Sequence, residues 1–299
     1  MKFDIKNRWT GKVQFTAEIE CSDDANLGIK IGLAVKWAIK ARADLAGANL
    51  AGAYLADADL TGADLAGANL AGANLARAYL ARANLAGANL AGANLADAYL
   101  ARAYLARANL AGANLADAYL ARAYLARANL AGANLAGANL ADAYLARAYL
   151  ARANLARANL ARANLARANL ARANLARANL ADAYLADALK IDEKEIPIIT
   201  NIDAAILAEI EKGGVLDMGS WHGPDDHWCG TTHCRAGWAI HIAGDLGKAL
   251  QDKVGVQMAG TLIYHKSRGS VPWFFAPNDD ALADIRKCAA EQTAEKPQS

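Results

Sequence analysis

Along residues 41–189 the apolar positions keep a five-residue beat. Leucine occupies every fifth position from Leu45 to Leu185 without a gap, and an alanine stands two residues before each. On an α-helix five residues turn about 500°, so successive leucines would drift about 140° around the axis and share no face. On a flat strand an odd spacing would send alternate leucines to opposite sides. A chain that turns a corner every five residues places them all inside. Alanine and leucine, two apart, then point inward and the residue between them points out. The next two residues make the corner, where glycine recurs, as at Gly47, Gly52 and Gly112. Alanine is small because opposite walls approach closely. Ala, Leu and Arg all favour helix. Burying a leucine is worth roughly 2–3 kcal/mol, and the 29 leucines of this ladder outweigh that preference.

The length of a turn is written in a longer repeat. The block "ADAYLARAYLARANLAGANL" stands at 96–115 and again, unchanged, at 116–135. That identity predicts four five-residue sides and twenty residues per coil.

The flanks carry other patterns. "NRWTGKVQFTAEIEC" alternates as strands do, with Thr10-Gly11 as the turn. "DDANLGIKIGLAVKWAIKA" reads as an amphipathic helix capped by Asp23 or Asp24, with Leu33, Trp37 and Ile39 facing the first coil. Terminal units of a repeat array differ because they close its open ends. After residue 190 the pattern becomes helical. "TNIDAAILAEIEKGG" has a cap and a Gly-Gly stop, and further helices are predicted near 232–245, 246–253, 255–266 and 278–291, the last capped by Asn278. The chain thus divides into an N-terminal strand and helix segment (1–40), the repeat (41–189), a helical domain (190–291) and a disordered tail (292–299).

The motif A-(D/N)-L-x-x, maintained across 41–189, resembles the pentapeptide-repeat family. The resemblance implies a right-handed quadrilateral β-solenoid of about seven coils, rising roughly 4.8 Å each. Tyrosine replaces the usual Asp or Asn at such positions as Tyr79, Tyr99 and Tyr119. With twenty residues per coil, these three stack in one outward ladder, and Tyr104, Tyr124 and Tyr144 in another on the adjacent side. Asp57, Arg77 and Asp97 form a sign-alternating column; Arg82, Arg102 and Arg122 form another, continued by Asp142 and Arg162.

Charge then narrows the function. The whole chain carries only +2, which by itself indicates no nucleic-acid, membrane or acidic partner. Within the repeat, 14 Arg stand against 9 Asp. Some members of the family engage DNA gyrase by imitating the duplex, which needs a long negative surface; the balance here is the reverse. Seven successive corners, Arg147, Arg152, Arg157, Arg162, Arg167, Arg172 and Arg177, girdle nearly two coils with positive charge. They are candidate partner-binding residues, for a protein or for a nucleic acid or topoisomerase. Equally, neighbouring like charges about 5 Å apart in water repel by only about 0.8 kcal/mol, so a solvated skin needs no ligand.

The one chemically suggestive stretch is "WHGPDDHWCGTTHCRAGWAIHIAG". His222, His227, Cys229, His233 and Cys234 are residue types that bind zinc, and His227, Cys229, His233 and Cys234 are the candidate ligands. The C-x4-C spacing is unusual for zinc, and adjacent His233 and Cys234 hardly reach one ion. Cys234 near a helix start, with His227 or His233 as base, is the only candidate nucleophile; no oxyanion site or pocket accompanies it. The segment also resembles a CGTxxCxAGWA motif of uncharacterised bacterial and prophage proteins, matched by Cys229, Gly230, Thr231, Cys234, Ala236, Gly237, Trp238 and Ala239. Four scattered cysteines and the lack of a signal peptide or spanning segment indicate a cytoplasmic, reducing compartment. The expectation is a non-enzymatic β-solenoid scaffold that binds a protein partner, without a cofactor, and with homo-oligomerisation open.

Overall fold

The five-residue beat builds a coiled wall. The computed structural model describes residues 1–185, 188, 197–213, 215–216, 232–233, 235–254, 256–268, 271–272 and 278–294. It divides into two compact units, Met1–Ala178 with Tyr184–Leu189, and Asn179–Ala183 with Lys190–Ser299.

In the first unit the bridges within the repeat are all parallel and join residues twenty apart, from Asn49 with Asn69 to Asn164 with Tyr184, and Ala48 bridges antiparallel to Asn7. Four bridged positions fall in each twenty-residue coil, so the repeat is a β-solenoid with four faces. Its interior is the predicted stack: Leu50 to Leu165 and their alanines, apart from the half-buried Ala63, are essentially inaccessible. The expectation of buried leucine and alanine, two apart, is therefore met along the repeat except at Ala43, Ala63 and Ala173, which are half-buried.

Hydrogen bonding explains the other three positions of the motif. In the repeat that begins at Asn69, the Asn69 amide donates to the Ala48 carbonyl at 2.9 Å, one coil back, and the Leu70 amide donates to the Asn89 carbonyl at 2.7 Å, one coil on. The Gly72 amide donates to the Ala91 carbonyl at 2.9 Å and the Ala73 amide to the Leu70 carbonyl at 3.0 Å. The remaining amide, of Ala71, donates to the Asn69 side-chain oxygen at 3.3 Å. All five N–H groups are thus satisfied, as a buried backbone requires. The Asn or Asp before leucine is there because its short side chain closes this local turn.

The corner residue lies in the left-handed region. Gly52 has φ +67°, as glycine readily does, but Arg102 has φ +59° and Asp117 φ +55°. An L-residue in this conformation costs on the order of 1 kcal/mol. Arginine and aspartate thus occupy corners that glycine would fill with less strain.

The N-terminal segment starts earlier than its alternation suggested. β1 (Lys2–Lys6) and β2 (Val13–Glu18) pair antiparallel, and the turn occupies the residues between them. There Asn7 accepts from the Trp9 and Thr10 amides at 3.0 and 3.1 Å, and Gly11 takes φ +68°. α1 (Leu27–Ala41) is capped by Asn26, which accepts from the Gly28 amide at 2.8 Å, rather than by Asp23 or Asp24. Small residues make its contact with the first coil. The Gly28 carbonyl accepts from the Tyr54 amide at 2.9 Å, and a Cβ on Gly32 would overlap the Tyr54 carbonyl. Ile39, expected against the coil, is exposed, and Trp37 stacks on Phe15 with centroids 6.1 Å apart. Glycines permit the close approach that larger side chains would prevent.

The second unit is mainly helical: α2 (Ile202–Glu211), α3 (Arg235–Ile242), α4 (Gly244–Val254), α5 (Val256–Arg268) and α6 (Asn278–Ala294). Two short strands, β3 (Val215–Leu216) and β4 (Thr232–His233), pair in parallel. The helix expected from residue 232 begins at Arg235, because 232–233 form that strand, and α6 runs three residues past its expected end at 291. α2 packs on α6, and α3 on α4 and α5, around Ile206, Trp238, Ile240, Leu250, Ile263 and Ile285.

Candidate functional site

Because positions twenty apart stack, the repeat can be followed face by face. Two adjacent faces carry asparagine. In one, Asn69, Asn89, Asn109 and Asn129 each donate a side-chain amide to the asparagine one coil back, at 2.9–3.1 Å. In the other, Asn114, Asn134, Asn154 and Asn174 do the same at 3.1–3.2 Å. The ridge between these faces is Gly52, Gly72, Gly92, Gly112 and Gly132. This half of the central solenoid is small, neutral and hydrogen-bonded to itself.

The other two faces differ in kind. Tyr79, Tyr99 and Tyr119 stack at 5.0 and 5.1 Å between ring centroids, and Tyr104, Tyr124 and Tyr144 at 5.0 and 5.5 Å, nearly parallel throughout. Both predicted ladders are present, with each ring between 41% and 50% exposed. The ridge between them is Arg82, Arg102, Arg122, Asp142 and Arg162, and a second arginine ridge, Arg107, Arg127, Arg147 and Arg167, borders the outer ladder. Asp142 lies 2.9 Å from Arg162 and 3.9 Å from Arg122. A groove of about 330 Å³ opens here, lined by Arg122, Tyr124, Asp142, Tyr144, Arg162 and Asn164. The expected pairing of Asp57 with Arg77 is also present, bidentate at 2.7 and 2.8 Å, and the Arg77 hydrogen bond holds the Asp57 carboxyl below its usual range.

Tyrosine at these positions works against the repeat's own chemistry. A phenol cannot close the local turn that asparagine closes, nor extend the amide ladder. Ring stacking of about 0.5–1.5 kcal/mol per pair offsets that loss. The exchange leaves a surface of aromatic edges, hydroxyls and guanidinium groups. Departures from a local rule concentrate where function is carried, and here they concentrate on one half of the solenoid.

The seven girdle arginines sit at their predicted corners, all with φ between +56° and +60°. They are split among all four ridges, so the structure does not gather them into one site. Of the candidate metal ligands, His227, Cys229 and Cys234 lie outside the described residues, as does the side chain of His233, whose backbone forms β4. Among the described residues no group of three or more His, Cys, Asp or Glu is placed to hold a metal ion. No described helix is long and apolar enough to cross a membrane.

Sequence reasoning missed a buried ionic cluster in the helical unit. Arg235, 1% exposed at the start of α3, donates to Tyr264 Oη at 2.9 Å and to the Asp203 and Asp284 carboxylates, both at 2.5 Å. Asp203 is inaccessible and also accepts from Tyr264, Arg268 and Gln292 at 3.1–3.2 Å. Burial opposes the Arg235 charge, but Tyr264, Asp203 and Asp284 together raise its pKa above the ordinary value. Burial pushes the Tyr264 phenol far up, so it stays protonated and donates. Burial alone would raise Asp284, yet the Arg235 hydrogen bond and charge outweigh it and hold the carboxyl low. These contacts among the described residues are between side chains, and the cluster joins α2, α3, α5 and α6. It is a structural tie between those helices.

The comparisons with known proteins bear on the repeat. The family model for pentapeptide repeats matches residues 41–77, 78–115, 103–142, 123–160 and 153–188. HetL of the cyanobacterium Nostoc sp. PCC 7120, a pentapeptide repeat protein involved in heterocyst differentiation regulation, is 33% identical, over 48% of this chain and 77% of HetL, with a TM-score of 0.30. A pentapeptide repeat protein of the Arabidopsis thaliana thylakoid lumen is 28% identical over 36% of this chain and 72% of that one, with a TM-score of 0.33. Another from Nostoc PCC 7120 is 32% identical over 39% of this chain and 69% of that one, with a TM-score of 0.12. No curated protein matches. The family model, matched end to end across 41–188, makes this chain a pentapeptide-repeat protein.

Proposed function

We propose that the protein is a non-enzymatic binding scaffold, and that the tyrosine–arginine half of its solenoid is the surface that engages a protein partner. One observation carries the reading: two stacked tyrosine ladders flank an arginine ridge on one half, while the opposite half from Asn69 to Asn134 is asparagine and glycine. Tyrosine and arginine are enriched where protein interfaces gain most of their energy. A stacked ladder is rigid before binding, so little side-chain freedom is lost on association.

The rest of the chain supports that surface. In this reading the solenoid is right-handed and quadrilateral, residues 1–40 cap its first coil, and residues 190–291 add specificity or oligomerisation. The arginine girdle from Arg147 to Arg177 adds long-range attraction for an acidic surface. A bacterial or phage source and a cytoplasmic setting belong to the same reading.

The test is capture from a cell lysate by two baits. The variant carries asparagine at Tyr79, Tyr99, Tyr104, Tyr119, Tyr124 and Tyr144. Asparagine already occupies these columns at Asn84 and Asn139, so the fold is expected to hold. Proteins captured by the wild-type chain are expected to be lost from the variant. Capture of the same proteins by both baits would place binding elsewhere.

A further inference from the structure

The chemistry of the tyrosine–arginine half says what kind of partner fits it. Within each ladder the facing π-faces cover one another, at 5.0–5.5 Å and within 11° of parallel, so that the middle rings, Tyr99 and Tyr124, have a ring on both faces and the end rings on one. An aromatic ring is negative on its face and positive at its edge. Stacking therefore hides the negative faces and turns the positive edges outward, beside the hydroxyls. Arg82, Arg102 and Arg122 run along the ridge between the ladders, and Arg107, Arg127 and Arg147 border the outer one. Edges, hydroxyls and guanidinium groups all favour an anion. The ridge between the ladders is thus positive over Arg82, Arg102 and Arg122, while Asp97 and Asp117 border the far side of the Tyr79–Tyr119 ladder.

Three features select a protein surface over a nucleic-acid strand. Single strands bind aromatic proteins by stacking bases on exposed ring faces, and between the stacked rings no such face is open. Asp142 interrupts the ridge between Arg122 and Arg162, so a uniformly charged backbone following the axis would cross a carboxylate. A protein can instead place carboxylates over the first three coils and a neutral or basic group over the fourth. Guanidinium forks also match carboxylates in bidentate geometry. From this juxtaposition of two edge-out tyrosine ladders with an arginine ridge, we infer that the partner presents a carboxylate-rich protein surface, held mainly by Arg82, Arg102 and Arg122. This inference rests on the binding-scaffold reading and adds the partner's chemistry and the ridge that reads it.

The full-length chain tests it, with a poly-glutamate peptide as the probe and oligothymidylate as the competitor class. The ridge variant carries Arg82→Gly, Arg102→Gly and Arg122→Gly. These corners have φ between +59° and +60°, a conformation glycine accepts without strain, so folding is not at risk. The control carries Arg152→Gly, Arg157→Gly, Arg172→Gly and Arg177→Gly, which removes more charge from the girdle. Poly-glutamate binding is expected to weaken about tenfold or more in the ridge variant, since each exposed pair contributes a modest share, and to change by less than about threefold in the control. An equal or larger loss in the control would show attraction by net charge and overturn the ridge assignment. Tighter binding of oligothymidylate than of poly-glutamate at the same salt would overturn the choice of a protein surface. Neither outcome depends on lysate capture, so either can fail while the scaffold reading stands.

Discussion

Replacing Arg235 with alanine is expected to lower the stability of the helical unit by about 3–5 kcal/mol, because it strips the cation from a buried carboxylate. Asp203 is inaccessible and takes one of its hydrogen bonds from Arg235 at 2.5 Å. Without that partner it keeps only Tyr264, Arg268, Gln292 and an incomplete neutralisation of its charge. Asp203→Asn is expected to cost less, since the amide oxygen still accepts from Arg235. Thermal unfolding followed by helical circular dichroism reads the ranking. If Arg235→Ala unfolds like the wild type, the cluster contributes nothing. The same variant carries a pH signature. Asp284 is held below its usual range by Arg235, so its folded pKa lies below its unfolded one. Its contribution is present above the ordinary carboxylate pKa of about 3.9 and fades as pH falls through the folded value. In Arg235→Ala that acid-side loss is expected to shrink.

The second large effect belongs to the solenoid. Leu110→Ala is expected to cost about 3–5 kcal/mol, the range for a buried leucine whose surroundings cannot collapse. Leu110 is 1% exposed, and its coil is fixed above and below by backbone bonds such as Leu110 to Asn129 at 2.7 Å. That ladder prevents the walls from closing on the void. Repeat arrays gain stability from contacts between neighbouring units, so the loss is also expected to broaden the transition. Denaturant unfolding, compared at equal slope, reads it. A cost below about 1 kcal/mol would mean that the interior packs loosely.

Much of this was legible because a solenoid writes three dimensions as one period. The five-residue beat gave the inward leucine and alanine, and the repeated block at 96–135 gave the coil length. From these the tyrosine ladders and the Asp57–Arg77 pair followed by simple addition of twenty. Other features were equally present in the register but need the columns taken in pairs. The contrast between the Asn–Gly half and the Tyr–Arg half emerges only when adjacent faces are compared with the ridge between them. The Asn69 side chain's role, accepting from Ala71 and donating to Asn49, was signalled by the constancy of Asn or Asp before leucine. The positive φ of Arg102 was masked, because arginine there reads as a helix former or a charge, not as a residue in glycine's place.

The helical unit was harder for a physical reason. Asp203 and Gln292, which bond one another, are 89 residues apart, and no periodicity links them. The hydrophobic pattern located the helices but not the polar contacts between them. Local competition set the remaining errors. Asn26 caps α1 because its side chain reaches the Gly28 amide, and Gly28 and Gly32, not Ile39, admit the first coil.

Tyrosine iodination of the chain bound to its captured partner tests the two-sided surface most directly. Tyr149 supplies an internal control, since it stands in the asparagine column, bridged to Asn129 and Asn169, and is 47% exposed. Binding through the tyrosine–arginine half is expected to shield Tyr99, Tyr104, Tyr119, Tyr124 and Tyr144 while Tyr149 still reacts. Protection of Tyr149 with free reaction at the two ladders would contradict it.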